Sequence, residues 1–142
     1  MRLADSSPAW DNTQIMPRFV LLFHNCPEKS PKPSHWDLMF EHQDVLMTWE
    51  LRELPATWQK KQGEGSETVS ARRLKDHRLA YLDYEGPVSG DRGHVTQCDS
   101  GLYECLQQSD QYLELRLVGK KLQGIVRLQQ NGPCWQLALV TS

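Results

Sequence analysis

From Pro17 onward the apolar and polar residues fall into short runs, each of strand length and separated by turn residues. PRFVLLFH is a continuous apolar run ending at His24, the pattern of a strand buried on both faces. NCPEKSPKP, broken by prolines, reads as a loop. HWDLMFE and VLMTWEL flank His42-Gln43-Asp44, which predicts a tight antiparallel hairpin. LPATWQKKQGEGSE offers one helical turn that fades into a Gly-rich loop. TVSARRL begins another strand, and LKDHRLAYLDYEG brings a cluster of polar side chains. HVTQCDSG, LYECLQ, QYLELRLVG, LQGIVRLQQ and CWQLALV complete the chain, with turns expected at Asp99-Ser100-Gly101, Gly119 and Asn131-Gly132-Pro133. This spacing predicts a mainly β protein: a single compact antiparallel β-barrel with little helix.

Residues 1–16 show no sustained period and contain Ser-Ser-Pro and Asp-Asn. They are expected to form a flexible or added N-terminal tail, with 17–142 as the folded domain. Met16 directly precedes the first strand, so a start there, without residues 1–15, is a further expectation. At 142 residues and 39% hydrophobic, the chain can bury one ordinary core. A net charge of −2 gives no global basic field, although a local cluster can still steer a nucleic acid. The four cysteines form no CxxC pair, which argues against a zinc ribbon, and the absence of a secretory pattern argues against a disulfide framework. No apolar run reaches the roughly 18 residues of a membrane span. The expected localisation is cytoplasmic, as a monomer without membrane contact.

Candidate chemistry starts at the stretch PSHWDLMFE. On an extended chain His35, Asp37, Met39 and Glu41 share one face, while Trp36, Leu38 and Phe40 share the other. One face suits a core; the other begins with an imidazole beside a carboxylate. With His24 at the end of the preceding strand, this makes an N, N, O set with open positions, suited to Mn²⁺, Fe²⁺ or Zn²⁺. Each histidine alone reads more readily as a hydrogen-bonded structural residue, and it is the two imidazoles and a carboxylate close together that favour the metal. In DHRLAYLDYEG, His77 and Tyr81 fall on one face, and a histidine and a phenol could donate to a phosphoryl oxygen or a leaving group. Arg72, Arg73, Lys75 and Arg78 make this the most basic stretch; a solvated strand edge is the competing reading. Trp49 and Trp135 lie in apolar runs and are expected to be buried.

Taken in order, His24, HWD at 35–37, DVLMTW at 44–49, DHRLAYLDYEG at 76–86, VTQCDSGLYE at 95–104 and LVGKKLQGIVRL at 117–128 resemble the N-terminal 3′-phosphoesterase domain of bacterial DNA ligase D. The resemblance runs from about Arg18 to Val140. It implies a β-barrel with a Mn²⁺ site held by His24, His35 and Asp37, and His77 and Tyr81 facing the scissile phosphate. The implied activity is metal-dependent removal of 3′-phosphates or 3′-ribonucleotides from nucleic-acid ends in DNA repair, beside a separate DNA ligase or polymerase.

The chain departs from the family where phosphate is clamped. Met39 and Val69 stand where the family carries arginines, and a thioether cannot grip phosphate as a guanidinium does. Arg73, of the same parity as His77 on an extended strand, is the expected phosphate-binding substitute. Two other classes of function remain open from the sequence. One is a non-catalytic phosphate- or nucleic-acid-binding relative. The other is an Fe²⁺ oxygenase using His35, Asp37 and His94 as a 2-His-1-carboxylate set.

Overall fold

A computed structural model of the chain describes residues 16–59 and 66–140, so the expected tail at 1–15 lies outside the described residues. The strands are β1 (Arg18–Asn25), β2 (His35–His42), β3 (Val45–Leu51), β4 (Thr68–His77), β5 (Gly86–Pro87), β6 (His94–Ser109), β7 (Tyr112–Gly119), β8 (Gln123–Asn131) and β9 (Cys134–Val140). One short helix, α1 (Ala56–Gln59), follows β3, and a 3₁₀ turn (Leu79–Leu82) follows β4. All nine strands form one antiparallel sheet in the order β1-β2-β3-β4-β9-β8-β7-β6-β5. β1 also pairs with β6, which closes the sheet into a ring. The expected mainly β barrel is the observed architecture.

Alternation along the strands builds the interior. Phe19 and Leu21 of β1, Leu38 and Phe40 of β2, Trp49 and Leu51 of β3 and Leu115 and Leu117 of β7 all enter one buried cluster. Phe40 sits edge-on to Trp49 and Tyr103, with centroids 6.0 and 5.2 Å apart. Tyr103 donates its hydroxyl to the Glu41 carbonyl at 2.5 Å, and burial pushes its pKa up to about 12. Trp49 is 2% exposed as expected, but Trp135 is only half-buried. It lies near the end of the β8–β9 hairpin and leans edge-on against Trp49 at 5.5 Å.

A second, smaller apolar cluster lies on the outer wall. Val20, Leu22, Met39, Leu46 and Val95 are covered there by Leu82, with Leu79, Tyr81 and Val88 packed against them. Polar contacts pin this cover: Arg18 pairs with Asp83 at 2.6 Å, and Gln97 Nε2 donates to the Leu82 carbonyl at 3.0 Å. The backbone N–H of Gln97 in turn donates to Glu85 at 2.7 Å.

Three turns follow the expectation, one of them directly after Gly119, between β7 and β8. Gln43 and Asp44 form a two-residue β2–β3 loop with both φ values positive (48° and 33°), matching strand twist. β8 and β9 join through Gly132-Pro133. The expected turn at Asp99-Ser100-Gly101 is instead the middle of the long strand β6. Gly101 is required there because a Cβ would run into the Val118 carbonyl on β7. Asp99, 5% exposed, accepts the backbone N–H groups of Lys120, Lys121 and Leu122 at 2.7–3.2 Å and so shapes the β7–β8 turn.

Candidate metal centre on the outer wall

The face of β2 opposite the core carries His35 and Asp37, 1% and 5% exposed. His35 Nδ1 lies 2.9 Å from the Pro33 carbonyl, which can only accept, so Nδ1 holds the proton and Nε2 is a bare lone pair. Asp37 Oδ1 lies 3.4 Å from that Nε2 and has no hydrogen-bond partner. Two acceptors therefore face each other in a buried place, an arrangement that calls for a cation between or upon them. A proton on His35 is one answer. Burial opposes the imidazolium, but Asp37, the Pro33 carbonyl and the charge of Glu50 outweigh it and raise the His35 pKa above its usual 6.5.

His24 is the cross-strand partner of His35, with ring centroids 4.9 Å apart. Its Nε2 donates to the Arg92 carbonyl at 2.7 Å, leaving Nδ1 bare. A histidine that ligates a metal is typically held this way, one ring nitrogen donating to a carbonyl and the other free. One ligand atom each from His24, Cys26 and His35 lies within 4.8 Å of the others. Cys26 was not singled out from the sequence. The signal was its place two residues after His24, on the same side of an extended chain. The Cys26 N–H donates to Ser34 Oγ at 2.9 Å across the loop, and burial pushes the thiol pKa up. Asp37 is not a member of that group: of the three, its carboxylate adjoins His35 alone, so the structure brings His24 and His35 together with Cys26 and leaves the expected third ligand to one side. The two imidazoles and the thiol are donors that fit a divalent cation.

Glu50 is the cross-strand neighbour of Asp37 and is 2% exposed. Lys32 Nζ lies 2.5 Å and Arg52 Nε 2.7 Å from its oxygens. Burial alone would raise its pKa, but these two cations hold it below the usual carboxylate value. Lys32 belongs to the loop between His24 and His35, so the ion pair also straps that loop over the site.

His77 and Tyr81 come together at the far end of the outer wall, ring centroids 5.8 Å apart and edge-on. His77 Nδ1 donates to the Lys75 carbonyl at 2.8 Å, which leaves Nε2 free. Tyr81 packs on the cluster that contains Met39. Met39 thus shares the face of Asp37, yet at 1% exposure it is sealed beneath the cover.

Arg73 does not share the parity of His77. The β3–β4 register shifts between Leu46 and Thr48, and this irregularity puts Arg73 opposite Trp49, a core residue. Its guanidinium stacks 4.6 Å from the Trp49 ring and donates to the carbonyls of Thr48 and Leu74 and to Asp76. Arg72, exposed, is the residue opposite Glu50 and continues the row that contains Asp37. His94 pairs with Asn25, of opposite parity to His24, and is exposed, so it lies off the face of His35 and Asp37. A cleft of about 640 Å³ runs beside the centre between the loops at Pro27–Pro31 and Pro87–Gly93, lined by two cations, Lys29 and Arg92, and one carboxylate, Asp91.

Residues 27–130 match the family described as the DNA Ligase D 3′-phosphoesterase domain. The matched span includes His35, Asp37, His77 and Tyr81 and begins after His24 and Cys26. A comparison with curated proteins finds no match.

Proposed function

Because the chain belongs to the DNA ligase D 3′-phosphoesterase domain family, we propose that it is a metal-dependent phosphoesterase that removes 3′-phosphates or 3′-ribonucleotides from nucleic-acid ends in DNA repair. The observation that carries this reading is the buried contact of His35 Nε2 with Asp37 Oδ1, which has no hydrogen-bond partner, with the His24 ring 4.9 Å from that of His35. His24, His35 and Asp37 would hold the ion, with Mn²⁺ as the one the family resemblance implies. A bound divalent ion would supply Lewis acidity at a phosphoryl oxygen and a more acidic water.

The remaining work falls to the chain itself. We assign to His77, whose Nε2 is free, the exchange of a proton with a leaving oxygen, and to the Tyr81 hydroxyl beside it the role of a second donor, for a substrate that reaches along the wall from the metal centre. Lys29 and Arg92 draw a phosphate-bearing end into the cleft. The clamp assigned to Arg73 passes to Arg72, because Arg73 is already engaged by three oxygens and a ring, whereas Arg72 is exposed on the row of Asp37. Among the described residues no helix is long and apolar enough to cross a membrane.

The experiment is incubation with a primer-template ending in 3′-phosphate or a 3′-ribonucleotide, with added divalent ion or chelator. Release that stops with chelator and is lost in Asp37→Ala and His35→Ala is the expected result. Retained binding of the oligonucleotide without release under any ion favours the non-catalytic relative. That second reading draws on Met39, an apolar residue sealed where the family places a guanidinium.

A further inference from the structure

We propose that Cys26 is a further protein ligand of this centre, beside His24 and His35, so that it favours a thiophilic divalent ion of the Zn²⁺ kind over Mn²⁺ more strongly than imidazoles and a carboxylate alone would. The inference rests on the metal reading above and concerns which ion the site selects.

Three observations carry it. First, the ligand atoms of His24, Cys26 and His35 are mutually within 4.8 Å, the one such group of three or more among the described residues. The other cysteines, Cys98, Cys105 and Cys134, join no such group. Second, the backbone that carries the thiol is held in place, and the thiol itself lies 3.9 Å from the His24 carbonyl. The Cys26 N–H is bound by Ser34 Oγ, the residue just before His35, so the two ends of the loop are tied where the ligands stand. On the other side the Arg92-Gly93 backbone is pressed so closely to Asn25 and Cys26 that a side chain at Gly93 would collide with the Asn25 carbonyl. Third, the two imidazoles each present a lone pair with the opposite nitrogen fixed by a carbonyl, which makes them preformed ligands.

The chemistry follows from the donor set. Sulfur is a soft donor that suits Zn²⁺ and other thiophilic ions, while Mn²⁺ stands lowest in the divalent affinity order and prefers oxygen. On binding, the sulfur lone pair goes to the ion and the thiol proton leaves to buffer; nothing is oxidised or reduced.

The test uses the full chain, stripped of metal with a chelator and loaded with Co²⁺, Zn²⁺ or Mn²⁺. With Co²⁺ the native protein should show a near-ultraviolet sulfur-to-cobalt charge-transfer band. It should be absent in Cys26→Ser and Cys26→Ala and kept in Cys98→Ser, Cys105→Ser and Cys134→Ser. In Cys26→Ser, Zn²⁺ affinity measured by chelator competition should fall at least about 10- to 100-fold, the loss that even an outer-shell partner produces. Mn²⁺ affinity should change less than about threefold, since Mn²⁺ gains little from sulfur. Without any mutation, Zn²⁺ should shield Cys26 from iodoacetamide in mapped peptides and Mn²⁺ should not. If ions bind and His35→Ala abolishes binding, yet no sulfur band appears and Cys26→Ser leaves the Zn²⁺/Mn²⁺ ratio unchanged, Cys26 is not a ligand and the metal reading stands alone. If the native protein binds none of the three ions, or His35→Ala binds as the native protein does, both ideas fall.

Discussion

Glu50 stays ionised while 2% exposed only because Lys32 and Arg52 reach it from the surface. Its folded pKa lies below the ordinary 4.5, so its contribution to stability is complete above that value and is lost as pH falls through the folded pKa. Glu50→Gln should therefore cost about 1–3 kcal/mol at neutral pH, toward the low end because both cations remain solvated. The same variant should flatten the loss of stability below pH 4.5. Urea unfolding across pH 3–7 reads both effects as an approximate range set by this linkage; an unchanged acid limb would show that the ion pairs are not what holds the carboxylate. At this scale strand parity was legible: His35 and Asp37 share the outer face of β2, and His24 stands across from His35. Cys26 was not, because cysteine logic looks for pairs of cysteines and this one is paired with histidines. Glu50 was missed because its partners, Lys32 and Arg52, approach from a loop and a strand end that no periodicity describes.

Alternation describes a strand only as far as its ladder is regular. The alternation of HWDLMFE was legible because β2 is regular on both sides, matched residue for residue with β1 and β3. Arg73 was misplaced because parity counts across β4 assume a uniform ladder, and the irregularity opposite Leu46–Thr48 shifts every residue beyond it. β6 was divided in two because Asp-Ser-Gly usually marks a turn; here the glycine answers a close backbone crossing and the aspartate caps a different turn. The segment around Gly93 makes a prediction at the same scale. Its φ of 89° and the Asn25 carbonyl beside it leave no room for a side chain. Gly93→Ala should lift the Arg92 carbonyl from His24 and lower affinity for a divalent ion by about 10- to 100-fold, as loss of an outer-shell partner does. Metal titration by calorimetry, alongside circular dichroism to show the barrel intact, checks it. Native affinity in a folded Gly93→Ala protein would mean that the carbonyl does not orient the imidazole.

Across the whole molecule, ring closure sets an order of events in time. The β1–β6 pairing joins Phe19 to Gly101 and the β4–β9 pairing joins Thr68 to Ala138, so completing the ring must bring distant parts of the chain together. Such encounters are slow because loop entropy is lost before any contact repays it. The proposed ligands, by contrast, all sit on β1, the loop after it and β2, neighbours in the chain as well as in space. An ion can therefore staple that hairpin before the ring exists and hand the remaining strands a template on which to assemble. Refolding from urea should be faster with Zn²⁺ than with chelator, while the unfolding limb of the chevron moves little, the behaviour of an interaction already made in the transition state. Should the ion slow unfolding and leave refolding untouched, the hairpin gains its grip only after closure. With the expected result, the ion that serves the mature surface also sets the pace at which the newly made chain reaches it.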